Sequence, residues 1–217
     1  GYTDGYETDE KDWWRFKIDE DGEVSIQFEM DKTLSMSYVY LYRKDGDSYI
    51  SSWYVEQKDK EFGPVGLKAG EYLIEINRSG GYGGYKLNII YKPQKMSNDT
   101  EPNEDFAKAT KAVIGTNEGH LGYTDGYETD EKDWWKFSVK KDGKFWIQFD
   151  MDETLSLSYV YLYRKGGDSY ISSWYIGQKG EKFGPVGLKA GEYLIEVNRS
   201  NGYGGYYITI DFEENPY

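Results

Sequence analysis

Apolar and polar positions along the chain alternate in short runs and do not recur at helical spacing. WWRFKI, EVSIQFE, SYVYLYR, SYISSWYV, GEYLIEIN and GYKLNII are separated by DEDG, RKDGDS, KAGE and SGGYGG. A period of two puts alternate side chains on opposite faces of a strand, and the glycine and Asp/Asn clusters supply the turns. Short strands with turn signals at this spacing predict an all-β chain built as antiparallel β-sandwich, jelly-roll-like domains with very little helix. The same alternation assigns faces. Trp14, Phe16 and Ile18 are expected in a core with Trp13, Arg15 and Lys17 opposite, and Val39 and Leu41 are expected inward with Tyr38, Tyr40 and Tyr42 outward.

Adding 121 to a residue number maps the first half of the 217-residue chain onto the second without a gap: Asp12 falls on Asp133, Trp53 on Trp174, Gly70 on Gly191 and Tyr85 on Tyr206. The reading is two tandem domains, a first repeat over residues 1–95 lacking the N-terminal segment and a second over residues 96–217 that includes an acidic linker. That linker contains a short helical turn around Phe106 to Ala112.

Composition narrows the function. With no cysteine, disulfides and thiolate metal sites are excluded, and each domain depends on its core, helped at most by an oxygen-ligated ion. A formal charge of -13 argues against nucleic acid and anionic membranes, because phosphate binding needs clustered cations. No stretch approaches the roughly 18 apolar residues of a membrane span. What remains conspicuous is 23 Tyr and 7 Trp at a hydrophobic content of only 38%.

Catalysis finds no support in these residues. The single histidine, His120, cannot furnish a triad or a zinc site in both repeats and reads as a polar residue at a strand entry. Carboxylate pairs such as Glu7 and Asp9 arise by chance in an acidic chain, and GGYGGY is followed by neither Lys-Ser/Thr nor a helix, so it reads as a hairpin and not as a phosphate loop. The chain is expected not to be an enzyme.

The aromatic residues point to binding. If RKDGDS closes a hairpin with Arg43 opposite Ser48, Tyr42 faces Tyr49, Tyr40 faces Ser51 and Tyr38 faces Trp53. These side chains then form an exposed strip suited to stacking sugar rings, repeated by Tyr159, Tyr161, Tyr163, Tyr170 and Trp174, with Tyr82, Tyr85, Tyr203 and Tyr206 rimming a site from the glycine loops. The alternatives are that cross-strand tyrosines merely stabilise the sheet, that the repeats dock through these faces, and that the loop tyrosines are anchors.

In the order EPNEDFAKAT, DEKDWWKF, KKDG, SYVYLYRKGGDS and LKAGEYLIEVNRS, the chain resembles two copies of the bacterial pre-peptidase C-terminal domain, the β-sandwich class of the collagen-binding domains of clostridial collagenases. The resemblance covers about Asp99 to Phe212 in the second copy and Gly1 to Tyr91 in the first. It implies an accessory module of a secreted or surface protein and a structural Ca2+ in the second repeat, held by Asp99, Glu101, Glu104, Asp130 and Asp133 with a backbone oxygen of Asn103. The strand that contacts collagen in that family is expected to carry tyrosine and lysine where this chain has Ile76 and Asn77 after YLIE.

The combined expectation is a monomeric, non-catalytic module of a larger extracellular or cell-surface protein. Its partner is a neutral polysaccharide, with a lean to a starch-like α-glucan; it binds no nucleic acid and does not insert into a membrane. The competing readings are a collagen- or protein-binding module and a calcium-rigidified spacer.

Overall fold

The computed structural model describes residues 10–55, 60–95 and 99–216 and is almost entirely β. It divides into two compact units. One holds the described residues up to Gln94 together with Tyr123–Thr129, the other those from Lys95 to Gly122 and from Asp130 onward.

The first unit has seven strands: β1 (Lys11–Ile18), β2 (Gly22–Met30), β3 (Leu34–Arg43), β4 (Tyr49–Tyr54), β5 (Lys60–Leu67), β6 (Gly70–Gly81) and β7 (Tyr85–Pro93). They form two antiparallel sheets, in the orders β1-β6-β3-β4 and β5-β2-β7. Alternation builds the core between them: Val24, Ile26 and Phe28 come from β2, Val39 and Leu41 from β3, Ile74 and Ile76 from β6. Each such side chain contributes about 1.5–3 kcal/mol by leaving water.

The second unit repeats the arrangement with β10 (Lys132–Val139), β11 (Gly143–Met151), β12 (Leu155–Arg164), β13 (Tyr170–Tyr175), β14 (Lys182–Leu188), β15 (Gly191–Gly202) and β16 (Gly204–Glu214). Ahead of them it carries β8 (Thr110–Lys111) and β9 (Gly115–Leu121). β8 pairs in parallel with β10 and β9 antiparallel with β16, so the sheets become β13-β12-β15-β10-β8 and β14-β11-β16-β9. The short helix of the linker is a single 3-10 turn, Phe106–Lys108, capped by the Asp105 carboxylate accepting from the Ala107 amide. No helix among the described residues is long and apolar enough to cross a membrane.

Two face assignments are corrected. In the β3–β4 hairpin Tyr42 does face Tyr49, but the register then shifts, so Tyr40 faces Ser52, Val39 faces Trp53 and Tyr38 faces Tyr54. Ile50 is the extra residue, and a one-residue bulge turns every later side chain to the other face. Trp53 therefore packs inward on Phe62, ring centroids 5.8 Å apart, and Trp174 inward on Phe145 at 6.4 Å. The outward partner is the next residue, Tyr54 or Tyr175.

The second correction concerns Trp14. In β10 its counterpart Trp135 is fully buried, whereas Trp14 is 47% exposed. The residues share a strand position, but among the described residues only the second unit has further strands, β8 and β9, along the two edges that flank it.

Candidate functional site

The outer face of the β1-β6-β3-β4 sheet carries a continuous series of rings. Tyr54 meets Tyr38 at 5.2 Å between centroids, Tyr38 meets Tyr40 at 5.6 Å, Tyr40 meets Tyr42 at 6.2 Å, and Tyr42 meets Trp13 at 5.5 Å. Tyr49 leans on both Tyr40 and Tyr42. The three tyrosines of β3 are two residues apart, so their Cα positions span about 13 Å. Trp13, Tyr38, Tyr49 and Tyr54 are each more than 40% exposed, so the series faces solvent.

A polar group lies among the rings. Glu75 is 5% exposed, takes the Lys11 ammonium at 2.7 Å and accepts from the Tyr42 hydroxyl at 3.3 Å. The second unit repeats the design: Tyr175, Tyr159, Tyr161, Tyr163 and Trp134 are in successive contact, with Tyr170 against Tyr161 and Tyr163. Phe106, from the 3-10 turn, extends this series beyond Trp134 at 6.3 Å. The Tyr163 hydroxyl donates to Glu196 at 2.9 Å, and burial together with that carboxylate holds its pKa above the ordinary phenol range. It remains a donor at neutral pH.

The structure thus joins Tyr38, Tyr40, Tyr42 and Tyr49, and Tyr159, Tyr161, Tyr163 and Tyr170, as the sequence predicts, but withdraws Trp53 and Trp174. Trp13, Trp134, Tyr54 and Tyr175 take their place. The missed signal is Val55, two residues after Trp53 and 4% exposed: a Trp and a Val in i, i+2 mark the inward phase of β4.

The loop tyrosines separate. Tyr82 is 61% exposed just after β6, and Tyr203 is half-buried at the same turn of the second unit. Tyr206 is fully buried and rims nothing; it accepts the Trp135 indole N–H at 2.8 Å and donates to Asp133. Tyr85 makes the same pair of bonds, from Trp14 at 2.6 Å and to Asp12 at 2.7 Å, while remaining half-buried. Both tyrosines sit on the inward phase of a strand, where a phenol packs as a hydrophobe and its hydroxyl finds a partner.

The acidic residues of the linker and of TDEKD converge in the second unit. One carboxylate oxygen each of Glu101, Glu104 and Asp130 lie within 4.8 Å of one another. Asp99 stands beside them, its Oδ1 accepting from Asn103 Nδ2 at 2.8 Å and its Oδ2 from the His120 amide at 3.0 Å, with His120 Nδ1 at 2.8 Å. His120 is thus a buried partner of Asp99 and not a mere strand-entry residue. Asp133 lies deeper, with no exposure. Burial, then Asp130, Asp99 and Glu101, push its pKa well above the carboxylate range, and the carboxyl of Glu101, a residue exposed overall, is raised by local desolvation and by Asp99.

These residues fit a hard cation. Two oxygens on one Ca2+, each about 2.3–2.6 Å from it, lie at most about 5 Å apart. The triad meets that limit, and Asn103 Oδ1 and Asp133 Oδ1 are buried oxygens that accept no hydrogen bond. The Asn103 carbonyl accepts from the Trp134 amide at 3.0 Å, and Asp99 is engaged by Asn103 and His120.

No protein-family model matches the chain. Collagenase ColA of Clostridium perfringens is 26% identical over 157 residues, which is 68% of this chain and 14% of that protein. The chain therefore spans only a small part of the length of that relative. Among solved structures, the pre-peptidase C-terminal domain of a Bacillus anthracis collagenase aligns over 52% of this chain and all of its own, at 18% identity and a TM-score of 0.41. A carbohydrate-binding module of the β-sandwich superfamily aligns over 94% of this chain and 98% of its own, at 10% identity and a TM-score of 0.28. In sequence, the chain is therefore similar to part of a clostridial collagenase.

Proposed function

We propose that the chain is a non-catalytic binding module in which each repeat holds a neutral polysaccharide on its outer aromatic face, within a secreted or surface protein. The observation that carries the reading is the unbroken, solvent-facing ring series, present in both units with the same members. Sugar rings offer flat C–H faces to stacked aromatics and hydroxyls to neighbouring polar groups, and Glu75 with Lys11 and Glu196 with Tyr163 lie among the rings for that purpose. The charge of -13 disfavours an anionic polymer. Two such faces on one chain raise avidity for a long polymer if both engage it.

In the same reading the second unit is stiffened by Ca2+ held by Glu101, Glu104 and Asp130, with Asp99, Asn103 and Asp133 shaping the site. An ion there offsets the mutual repulsion of the carboxylates and fixes the linker to β10.

A second reading is a triple-helical collagen ligand on the same face, favoured by the sequence similarity to a collagenase. One experiment separates them. Affinity electrophoresis through soluble α- and β-glucans, run beside pulldown on insoluble collagen, is expected to show retention by glucan, with α-glucan the stronger. Combined Tyr38→Ala, Tyr54→Ala, Tyr159→Ala and Tyr175→Ala should abolish retention with an unchanged circular dichroism spectrum. Retention by collagen alone selects the second reading; equal retention of parent and variant removes the face from either.

A further inference from the structure

A cavity of the second unit opens beside its ring series and shares Phe106 with it. β8 pairs with β10 for two residues, Thr110 beside Trp135 and Lys111 beside Lys136, and the Ala112 amide then donates to the Lys136 carbonyl at 2.8 Å. Past that point the chain leaves this sheet and crosses to β9 in the opposite one. The crossing encloses about 670 Å³ against the rest of β10, with Phe106, Val113, Ile114, Phe137 and Leu194 as walls. Its floor belongs to the fold's interior, since Phe137 is 5% and Leu194 8% exposed. Its lip is apolar and open to solvent, with Phe106, Val113 and Ile114 between 49% and 63% exposed. The lip is also held in place: the fully buried Asn117 side chain accepts from the Val113 amide at 2.8 Å and donates to the Val113 carbonyl at 3.0 Å.

The charge at this cavity reverses that of the chain. Against a formal net charge of -13, its lining carries Lys111, Lys136 and Lys165 and one acid, Glu192. Lys165 pairs with Glu192 at 2.5 Å. Lys111 and Lys136 are register partners on neighbouring strands, about 4.8 Å apart at the backbone, and both are exposed, whereas Thr110 and Trp135 one position earlier both point inward. Neither of these lysines forms an ion pair with a described residue. Two ammonium groups held side by side repel unless an anion lies between them. We infer that the cavity binds a small amphipathic carboxylate of the fatty-acid class, its alkyl chain against Leu194, Phe137 and the Val113–Ile114 crossing and its carboxylate taken by Lys111 and Lys136. The volume lies within the roughly 300–1,000 Å³ of small-molecule sites, and a preformed lip spares the ligand the cost of ordering it. A carboxylate has two oxygens to accept from two ammonium groups, and branched aliphatic walls suit a flexible alkyl chain.

The test is an NMR titration of the isotope-labelled full chain with octanoate, which reads both affinity and location. Saturable shifts are expected at the amides of Val113, Ile114 and Phe137. Lys111→Gln combined with Lys136→Gln should weaken binding about tenfold or more, as should replacing octanoate by 1-octanol, because each removes hydrogen bonds to a charged group. Lys111→Arg with Lys136→Arg should keep it. Ile114→Asp, an anion placed on the exposed lip, should abolish it with an unchanged circular dichroism spectrum. Glucan retention by the Lys→Gln variant should equal that of the parent, so failure here and failure of the polysaccharide reading are separate results. Absence of saturable shifts, shifts centred elsewhere, or equal affinity for octanoate and octanol overturns the inference, and cinnamate binding more tightly than octanoate overturns the alkyl assignment.

Discussion

The hydroxyl of Tyr206 donates to the carboxylate of Asp133 at a position where neither residue has solvent exposure, and the Trp135 indole donates to the same hydroxyl. Tyr206→Phe removes the only atom that joins the other two. It leaves a buried N–H and a buried carboxylate each short of a partner, a loss of about 1–3 kcal/mol. The equivalent Tyr85→Phe acts at a half-exposed site where water replaces the hydroxyl, so its cost should be under about 1 kcal/mol. Urea denaturation of the two variants should show this order.

The bulge at Ile50 yields a paired prediction from adjacent residues. Trp53→Ala opens a gap against Phe62 and should cost about 2–3 kcal/mol, below the roughly 3–5 of a fully buried aromatic because Trp53 is only partly covered. Tyr54→Ala, one residue on, should stay within about 0.5 kcal/mol of the parent while weakening glucan retention. If Tyr54→Ala is the destabilising change and Trp53→Ala the one that loses ligand, the unshifted register was correct.

These residues also show what sequence could and could not reveal. The repeat follows from the gapless offset of 121 residues, and the strands and the inward Val39 and Leu41 follow from alternation, because sandwich cores are filled by every second residue. The phase of β4 does not follow, since a single extra residue inverts it without altering composition. The burial of Trp135 against the exposure of Trp14 was equally illegible: both belong to the same string, DWW, and what differs is chain lying more than ten residues earlier. The acidic convergence was readable only through resemblance, and the engagement of Asp99 by His120 needed coordinates.

Chelation tests the cation site. With Glu101, Glu104 and Asp130 in one unit, removing Ca2+ with EGTA should lower the melting temperature of the second unit and leave the first unchanged. At a hundredfold excess of Ca2+ over Kd the ion adds about 2.7 kcal/mol, which for a domain of this size is a shift of roughly 10 °C or more. Calorimetry should count one tight site, and Glu104→Gln with Asp130→Asn should remove it. Two equal tight sites, or an unchanged melting curve in EGTA, would show that the carboxylates tolerate one another without an ion.

The tyrosine-rich run that opens the second sequence repeat packs in the first unit, and Asp125 holds it there. Thr124 exchanges backbone bonds with β5 and the residue after it, its amide donating to Gly66 at 3.1 Å and its carbonyl accepting from Lys68 at 2.9 Å. Tyr123 is fully buried, and Tyr127 lies under the Arg43 guanidinium at 5.3 Å while donating to the Asp45 carbonyl at 2.7 Å. Asp125 closes the turn from inside, accepting from the amides of Tyr127 and Glu128 at 2.9 Å each, and its other oxygen pairs with Arg43. Asp125→Ala therefore frees two amides and one guanidinium. Arg43 is 40% exposed and water recovers part of its loss, so the cost should be about 1–2 kcal/mol, confined to the first unit. Asp125→Asn, which keeps an acceptor for the turn amides, should recover about half. Proteolysis is the sharper measurement: cleavage after Tyr127 should accelerate in Asp125→Ala by the same factor that its stability falls, about five- to thirtyfold. A run that is cut no faster in the variant would mean that Asp125 does not hold the loop on the sheet.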